Sequence, residues 1–218
     1  MNTTTKKVRP AKKLNTWIAP KRTALLVIDL QVDFASPAGA LGKAGADLSA
    51  VPAALAKAAS LADGARAAGA MVIFIRLETR GETDSPAWVE RTRRLGGTPE
   101  KDLAICRAGT PGAEFCGPLL APGDIVIVKS RYSSFVGTNL DSILKAKGID
   151  TLVMCGLTTE CCVDCTVRDA FHRDYHVFLA ADACASCDKT LHEAAVQSLE
   201  RNCAIVVRTD DVVKAWTG

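Results

Sequence analysis

Six short apolar runs recur along the chain, at residues 24–28, 71–75, 125–128, 152–155, 177–180 and 204–207. They are rich in Val, Ile and Leu and lack polar alternation, which is the composition of strands buried on both faces of a parallel sheet. Helical patterns separate several of them. Residues 49–68 are Ala-rich and stop at Gly69, residues 140–147 stop at Gly148, residues 162–172 follow a tight turn, and residues 189–201 precede the last run. Such alternation builds right-handed β-α-β crossovers, so the predicted fold class is α/β: a three-layer α/β/α sandwich on a six-stranded, mainly parallel sheet.

One connection breaks this rhythm. Residues 77–123 hold several Gly-containing turns and one short helical pattern, around 87–95. A loop of that length in a compact domain is expected to be functional, as a lid or a substrate-selecting wall.

At 218 residues, 48% of them apolar, the chain has the size and the core of one domain. The net charge of +3 owes much to residues 1–22, where Lys6, Lys7, Arg9, Lys12, Lys13, Lys21 and Arg22 have no acidic partner. That segment reads as a basic extension, with the folded domain spanning 23–218. The remainder is slightly acidic, so no nucleic-acid surface is implied. The extension lacks the apolar stretch of a signal peptide, and no run is long enough to cross a bilayer, so no membrane partner and a cytoplasmic location are expected. Nine cysteines, odd in number and irregular in spacing, fit reduced thiols better than a secreted disulfide framework.

The most informative stretch runs from Met154 to Ala170. It leaves an apolar run, breaks at Gly156, passes Thr158-Thr159-Glu160 and then takes helical spacing through Val163, Val167 and Ala170. Thr158 or Thr159 is placed to cap a helix, which puts Cys161 and Cys162 in or near its first turn, where unpaired N–H groups make a thiol easier to ionise. Ligands of open parallel sheets bind beyond the carboxyl ends of the strands. Asp29 ends the first run and Lys129 the third, so a carboxylate, an ammonium and a helix-terminal thiol are expected at one edge. Taken singly, each has a plain structural explanation. A charge beside the apolar runs 25–28 and 125–128 is costly unless paired, however, and an Asp29–Lys129 pair beside a thiol supplies a base, a cation and a nucleophile.

These stretches resemble the isochorismatase-like cysteine hydrolases, the superfamily of nicotinamidase, N-carbamoylsarcosine amidase, ureidoacrylate amidohydrolase and the biuret and triuret hydrolases. The resemblance is carried by Leu26-Val27-Ile28-Asp29-Leu30-Gln31-Val32-Asp33-Phe34, by Gly109-Thr110-Pro111-Gly112-Ala113-Glu114, by Lys129-Ser130-Arg131-Tyr132-Ser133-Ser134-Phe135, by the turn after Met154, and by Ala181-Asp182-Ala183. It implies a catalytic triad of Asp29, Lys129 and Cys162, choosing Cys162 over its neighbour. It further implies a non-proline cis peptide at Leu157–Thr158 and an oxyanion hole from the N–H groups of Thr158 and Cys162. Phe34, Tyr132, Phe135 and Thr159 are expected around the substrate, with Arg131 holding a carboxylate or carbonyl. The implied activity is hydrolysis of a C–N bond in a small ureide, carbamoyl or amide compound through an acyl-enzyme, by a homo-oligomer that needs no cofactor. Where nicotinamidases carry an Asp-x-His…His metal site, this chain has Arg76-Leu77-Glu78-Thr79-Arg80, so no metal is implied. The Lys129–Phe135 stretch is most similar to ureidoacrylate enzymes and Thr158-Thr159 to the biuret group, with an N-carbamoylsarcosine amidase-like activity as the alternative.

Two rival classes remain at this point. Cys162-x-x-Cys165 and Cys184-x-x-Cys187 have the spacing of a four-cysteine zinc site, although the intervening helix and strand tend to separate the pairs. The same fold can also serve a catalytically silent interaction protein.

Overall fold

The computed structural model describes residues 13–218. Its sheet has six parallel strands: β1 (Thr23–Ile28), β2 (Met71–Leu77), β3 (Ile125–Lys129), β4 (Thr151–Leu157), β5 (His176–Ala185) and β6 (Ile205–Val207), in the order β3-β2-β1-β4-β5-β6. The helices with more than a single turn are α1 (Val51–Ala68), α2 (Pro86–Arg94), α3 (Leu140–Ala146), α4 (Asp164–Phe171), α5 (Lys189–Asn202) and α6 (Thr209–Thr217). The chain steps from β1 to β2 and β3 in one direction, then returns past β1 and steps through β4, β5 and β6 in the other. Right-handed crossovers in opposite directions put their helices on opposite faces, which gives the three layers expected.

Burial explains why the strands were legible. Every residue of β1 and β4 is buried, whereas the edge strand β3 exposes Val126 and Val128 between buried Ile127 and Lys129. α1 ends as its sequence demands: Gly69, at φ 74°, takes the left-handed conformation and its N–H reaches the Ala65 and Arg66 carbonyls. α5 begins at Asp188, whose carboxylate accepts from the N–H groups of Thr190 (2.7 Å) and Leu191 (3.0 Å).

Two expectations need correction, and one element goes beyond them. The packed body begins before residue 23, because Leu14 and Ile18 are buried and the Trp216 indole N–H donates to the Ile18 carbonyl at 2.9 Å. The part of the basic extension up to Lys12 lies outside the described residues. Second, β5 runs to Ala185 rather than Ala180. Asp182 interrupts its apolar pattern, and its Oδ1 accepts from the Thr209 N–H and hydroxyl, both at 2.9 Å, at the start of α6. The added element is α6, which buries Val212 and Trp216.

The switch in strand order falls between β1 and β4, the place where parallel sheets of this type bind ligands. Gly156 lets the two strands approach there. It has φ 134°, and a Cβ on it would lie 2.0 Å from the Ile28 carbonyl oxygen, one residue before Asp29. Gly156→Ala is therefore expected to lower stability by at least about 1–3 kcal/mol and to cut activity, since the backbone carrying Asp29 has to move. Urea melts and turnover check this, and a variant indistinguishable from wild type would sink it.

Candidate active site

The three residues singled out by sequence converge at this switch point. Asp29 directly follows β1 with φ 50°, Lys129 is the last residue of β3, and Cys162 lies in the turn after β4. All three are buried. The Lys129 ammonium is 2.7 Å from Asp29 Oδ2, with both side chains fully out of solvent. It also donates to the carbonyls of Arg131 (3.1 Å) and Tyr132 (2.9 Å).

The electrostatics follow from this burial. Desolvation pushes the Asp29 carboxyl above its usual range, opposed first by the Lys129 charge and then by the Cys162 thiol. For Lys129, burial is the largest influence and favours loss of the proton, but Asp29 and Cys162 together outweigh it and the net direction is upward. The Cys162 thiol is raised well above its ordinary value by the neighbouring Cys161 thiol, by burial and by the Asp29 charge, with Lys129 opposing. Burial and the Asp29 charge thus work against the easily ionised thiol expected from the helix start, and an adjacent base favours loss of its proton.

The turn also differs from the helix start that was predicted. Thr159–Val163 forms a π-helical turn that leads into α4, and neither threonine supplies a side-chain cap. The Cys161 and Val163 N–H groups both reach the Thr158 carbonyl, at 3.1 and 3.3 Å. The Leu157–Thr158 peptide is cis, as the resemblance implied. The Thr159 hydroxyl is hydrogen-bonded to His192 Nδ1 of α5 at 2.8 Å, so this buried residue ties the turn to the helix layer.

The remaining sequence candidates divide. Phe34 sits in the single turn Val32–Ala35 just beyond Asp29, at the same edge. Tyr132 is partly exposed, close enough to the Cys161 and Cys162 thiols that they add to the effect of burial in raising its hydroxyl. Arg131 Nη1 donates to the carbonyls of Thr83 (2.8 Å) and Ser130 (2.7 Å), and its guanidinium lies 5.6 Å from the Trp88 ring. Phe135 is not brought to the site. Its ring packs on Tyr175 (5.9 Å), just ahead of β5 at the opposite end of that strand, and under the Arg173 guanidinium (5.0 Å).

Two residues quoted only as part of a matching stretch turn out to anchor the 77–123 insertion. Gln31, fully buried, donates from Nε2 to the Leu77 and Ala113 carbonyls and accepts from the Leu77 N–H, each at 2.8 Å. Asp33 accepts from the Cys106 N–H at 2.6 Å and the Ala40 N–H at 2.9 Å. A Cβ on Gly112 would lie 2.3 Å from that carboxylate, which accounts for the second glycine of the 109–114 stretch. Their signal in the sequence was the polar side chain set among apolar neighbours, which needs a partner when buried. Asp33→Ala is expected to cost about 1–3 kcal/mol by leaving the Cys106 N–H unsatisfied. Urea unfolding measures it, and no loss of stability would contradict the anchoring.

Glu78 is shared between Arg76 and Arg80. Among the described residues, no group of three or more His, Cys, Asp or Glu side chains is arranged to hold a metal ion, so Cys162, Cys165, Cys184 and Cys187 do not converge as a four-cysteine site. All nine cysteines are free thiols. Among the described residues, no helix is long and apolar enough to cross a membrane.

A buried carboxylate–ammonium pair thus stands beside a thiol-bearing turn at the switch point of a parallel sheet, in a chain whose likeness to known proteins makes it a hydrolase of the α/β class. Residues 23–211 match the isochorismatase domain, and the chain belongs to that family of hydrolases. It is 36% identical over 203 residues to the ureidoacrylate amidohydrolase RutB of Methylobacterium radiotolerans, covering 88% of this chain and 79% of that protein. To the RutB of Azorhizobium caulinodans it is 37% identical over 183 residues, 80% and 81% of the two chains. Among solved structures, a cysteine hydrolase from Pseudomonas syringae pv. phaseolicola superposes with a TM-score of 0.78 at 28% identity, over 90% of this chain and 93% of that one. An N-carbamoylsarcosine amidase from Thermoplasma acidophilum gives 0.66 at 29% identity, over 87% and 97%.

Proposed function

We propose that this hydrolase cleaves a C–N bond of a small ureide or carbamoyl compound, with ureidoacrylate as the leading substrate, through a triad of Cys162, Asp29 and Lys129. The observation that carries the proposal is the fully buried Lys129–Asp29 contact of 2.7 Å at the edge that also bears Cys162. The likeness to two ureidoacrylate amidohydrolases and to an N-carbamoylsarcosine amidase supports the substrate class.

Asp29 takes the thiol proton as the Cys162 sulfur attacks the ureide carbonyl carbon. Lys129 keeps Asp29 ionised enough to accept it, against the effect of burial. The negative oxygen of the tetrahedral adduct lies between the Thr158 and Cys162 N–H groups. On collapse the C–N bond breaks and the proton passes from Asp29 to the leaving nitrogen, which leaves an acyl thioester on Cys162. Water then adds to this carbonyl, giving its proton to Asp29. The thiolate departs and recovers that proton, which restores the starting state. Phe34 and Tyr132 wall the substrate, and the tethered insertion closes over it.

Ammonia release from ureidoacrylate, biuret, triuret and N-carbamoyl amino acids, with nicotinamide alongside, tests the proposal. Turnover is expected with at least one ureide and above that with nicotinamide. Hydrolysis of nicotinamide alone would overturn the substrate class.

A further inference from the structure

We infer that Trp88, in the insertion, is a positioning residue for the catalytic ion pair: its ring latches α2 onto the Arg131–Tyr132 segment whose carbonyls hold the Lys129 ammonium. The inference rests on the triad reading above. α2 has no buried residue, so the core does not fix it. The Asp84–Arg107 ion pair holds the chain just ahead of it, and its link to the site edge runs through Trp88, which stacks on Tyr132 with ring centroids 4.6 Å apart and planes inclined by 29°. The Arg131 guanidinium lies 5.6 Å from the same ring and reaches back to the Thr83 carbonyl, ahead of α2.

The two residues that Trp88 grips are the two whose carbonyls accept from Lys129 Nζ, at 3.1 and 2.9 Å, while that nitrogen stands 2.7 Å from Asp29. A continuous chain of contacts therefore joins the insertion helix to the carboxylate that moves the proton. When the ring is absent, Tyr132, already partly exposed, loses its stacking partner, and the peptide it shares with Arg131 gains freedom. Misplacement of a catalytic group by about 1 Å is enough to cost up to about a hundredfold in rate. The effect falls on kcat, because Lys129 acts on the chemical step, and loosening of Tyr132 at the substrate wall adds a rise in KM. A residue that merely lined the substrate would raise KM and leave kcat alone.

The test is steady-state kinetics of W88A and W88F on the best ureide of the panel, with C162A in parallel and a thermal melt of each variant. W88A is expected to melt with wild type and to lose about ten- to a hundredfold in kcat, and W88F, which keeps a ring on Tyr132, to recover to within about threefold of wild type. A W88A enzyme with wild-type kcat, or a W88F enzyme as poor as W88A, overturns the inference. So does a W88A chain that fails to fold, since Trp88 would then be a stability residue. Turnover surviving in C162A, or no ureide turnover by wild type, removes the triad reading and this inference with it. Loss in C162A with no change in W88A removes this inference alone.

Discussion

Cys162→Ala is expected to abolish ureide hydrolysis, a loss on the order of 10⁴-fold or more, because covalent chemistry has no substitute atom at that point. The substitution removes one sulfur from a buried position and leaves the backbone N–H groups in place, so far-ultraviolet circular dichroism and the melting transition are expected to stay close to wild type. Cys161 is the necessary control. It is less buried than its neighbour. Cys161→Ala is expected to keep activity within about tenfold of wild type, its effect coming through the thiol contact that helps hold Cys162 protonated. The pair of variants separates two adjacent cysteines that composition and spacing leave equivalent. Full activity in Cys162→Ala, or abolition in Cys161→Ala alone, would end the proposed mechanism.

What the sequence made legible, and what it hid, follows from the range over which each feature is determined. β1 and β4 are buried on both faces, so their apolar runs were unmistakable. Asp29 and Lys129 stood out because a charge bordering such a run has to be paired, and each could meet the need of the other; Arg76 and Arg208 border runs as well, so position alone did not choose the pair. The π-helical turn left no trace, since five residues cannot display a period that differs from an ordinary helix start by one residue. Phe135 was misplaced because its orientation depends on Tyr175 and Arg173, contacts set by tertiary packing and not by its neighbours in sequence. The far end of β5 was cut short for the converse reason. Asp182 reads as a break until the Thr209 N–H and hydroxyl that occupy it are known. The anchoring of the insertion by Gln31 and Asp33 is likewise a long-range fact, spanning 82 residues for Gln31 to Ala113.

Removing Lys129 is the most disruptive single change expected for stability. Lys129→Met takes away the partner of a carboxylate that is fully buried and leaves that charge uncompensated, which costs about 3–5 kcal/mol. The Lys129 charge is also the largest influence holding the Asp29 pKa down, so in the variant burial drives the carboxyl further upward. The consequence for pH follows in sign. A group whose pKa is raised in the folded state contributes stability below its unfolded value, and that contribution is lost as pH rises through the folded value. The deficit of Lys129→Met is therefore small in acid, where Asp29 is protonated and no charge is buried, and grows toward neutrality. Adding Asp29→Asn removes the buried charge, so the double variant is expected to be more stable at neutral pH than Lys129→Met alone, while remaining inactive. Urea melts at about pH 5 and about pH 8 measure this directly, and an equal deficit at both would mean that Asp29 does not carry the buried charge. The same upward shift predicts that wild-type kcat/KM rises with pH through a value above the ordinary carboxylate range, because in the proposed mechanism Asp29 accepts the thiol proton only when ionised. Lys129 thus has one physical task with two readouts: it lets a carboxylate exist inside the protein, and it keeps that carboxylate basic without leaving it protonated.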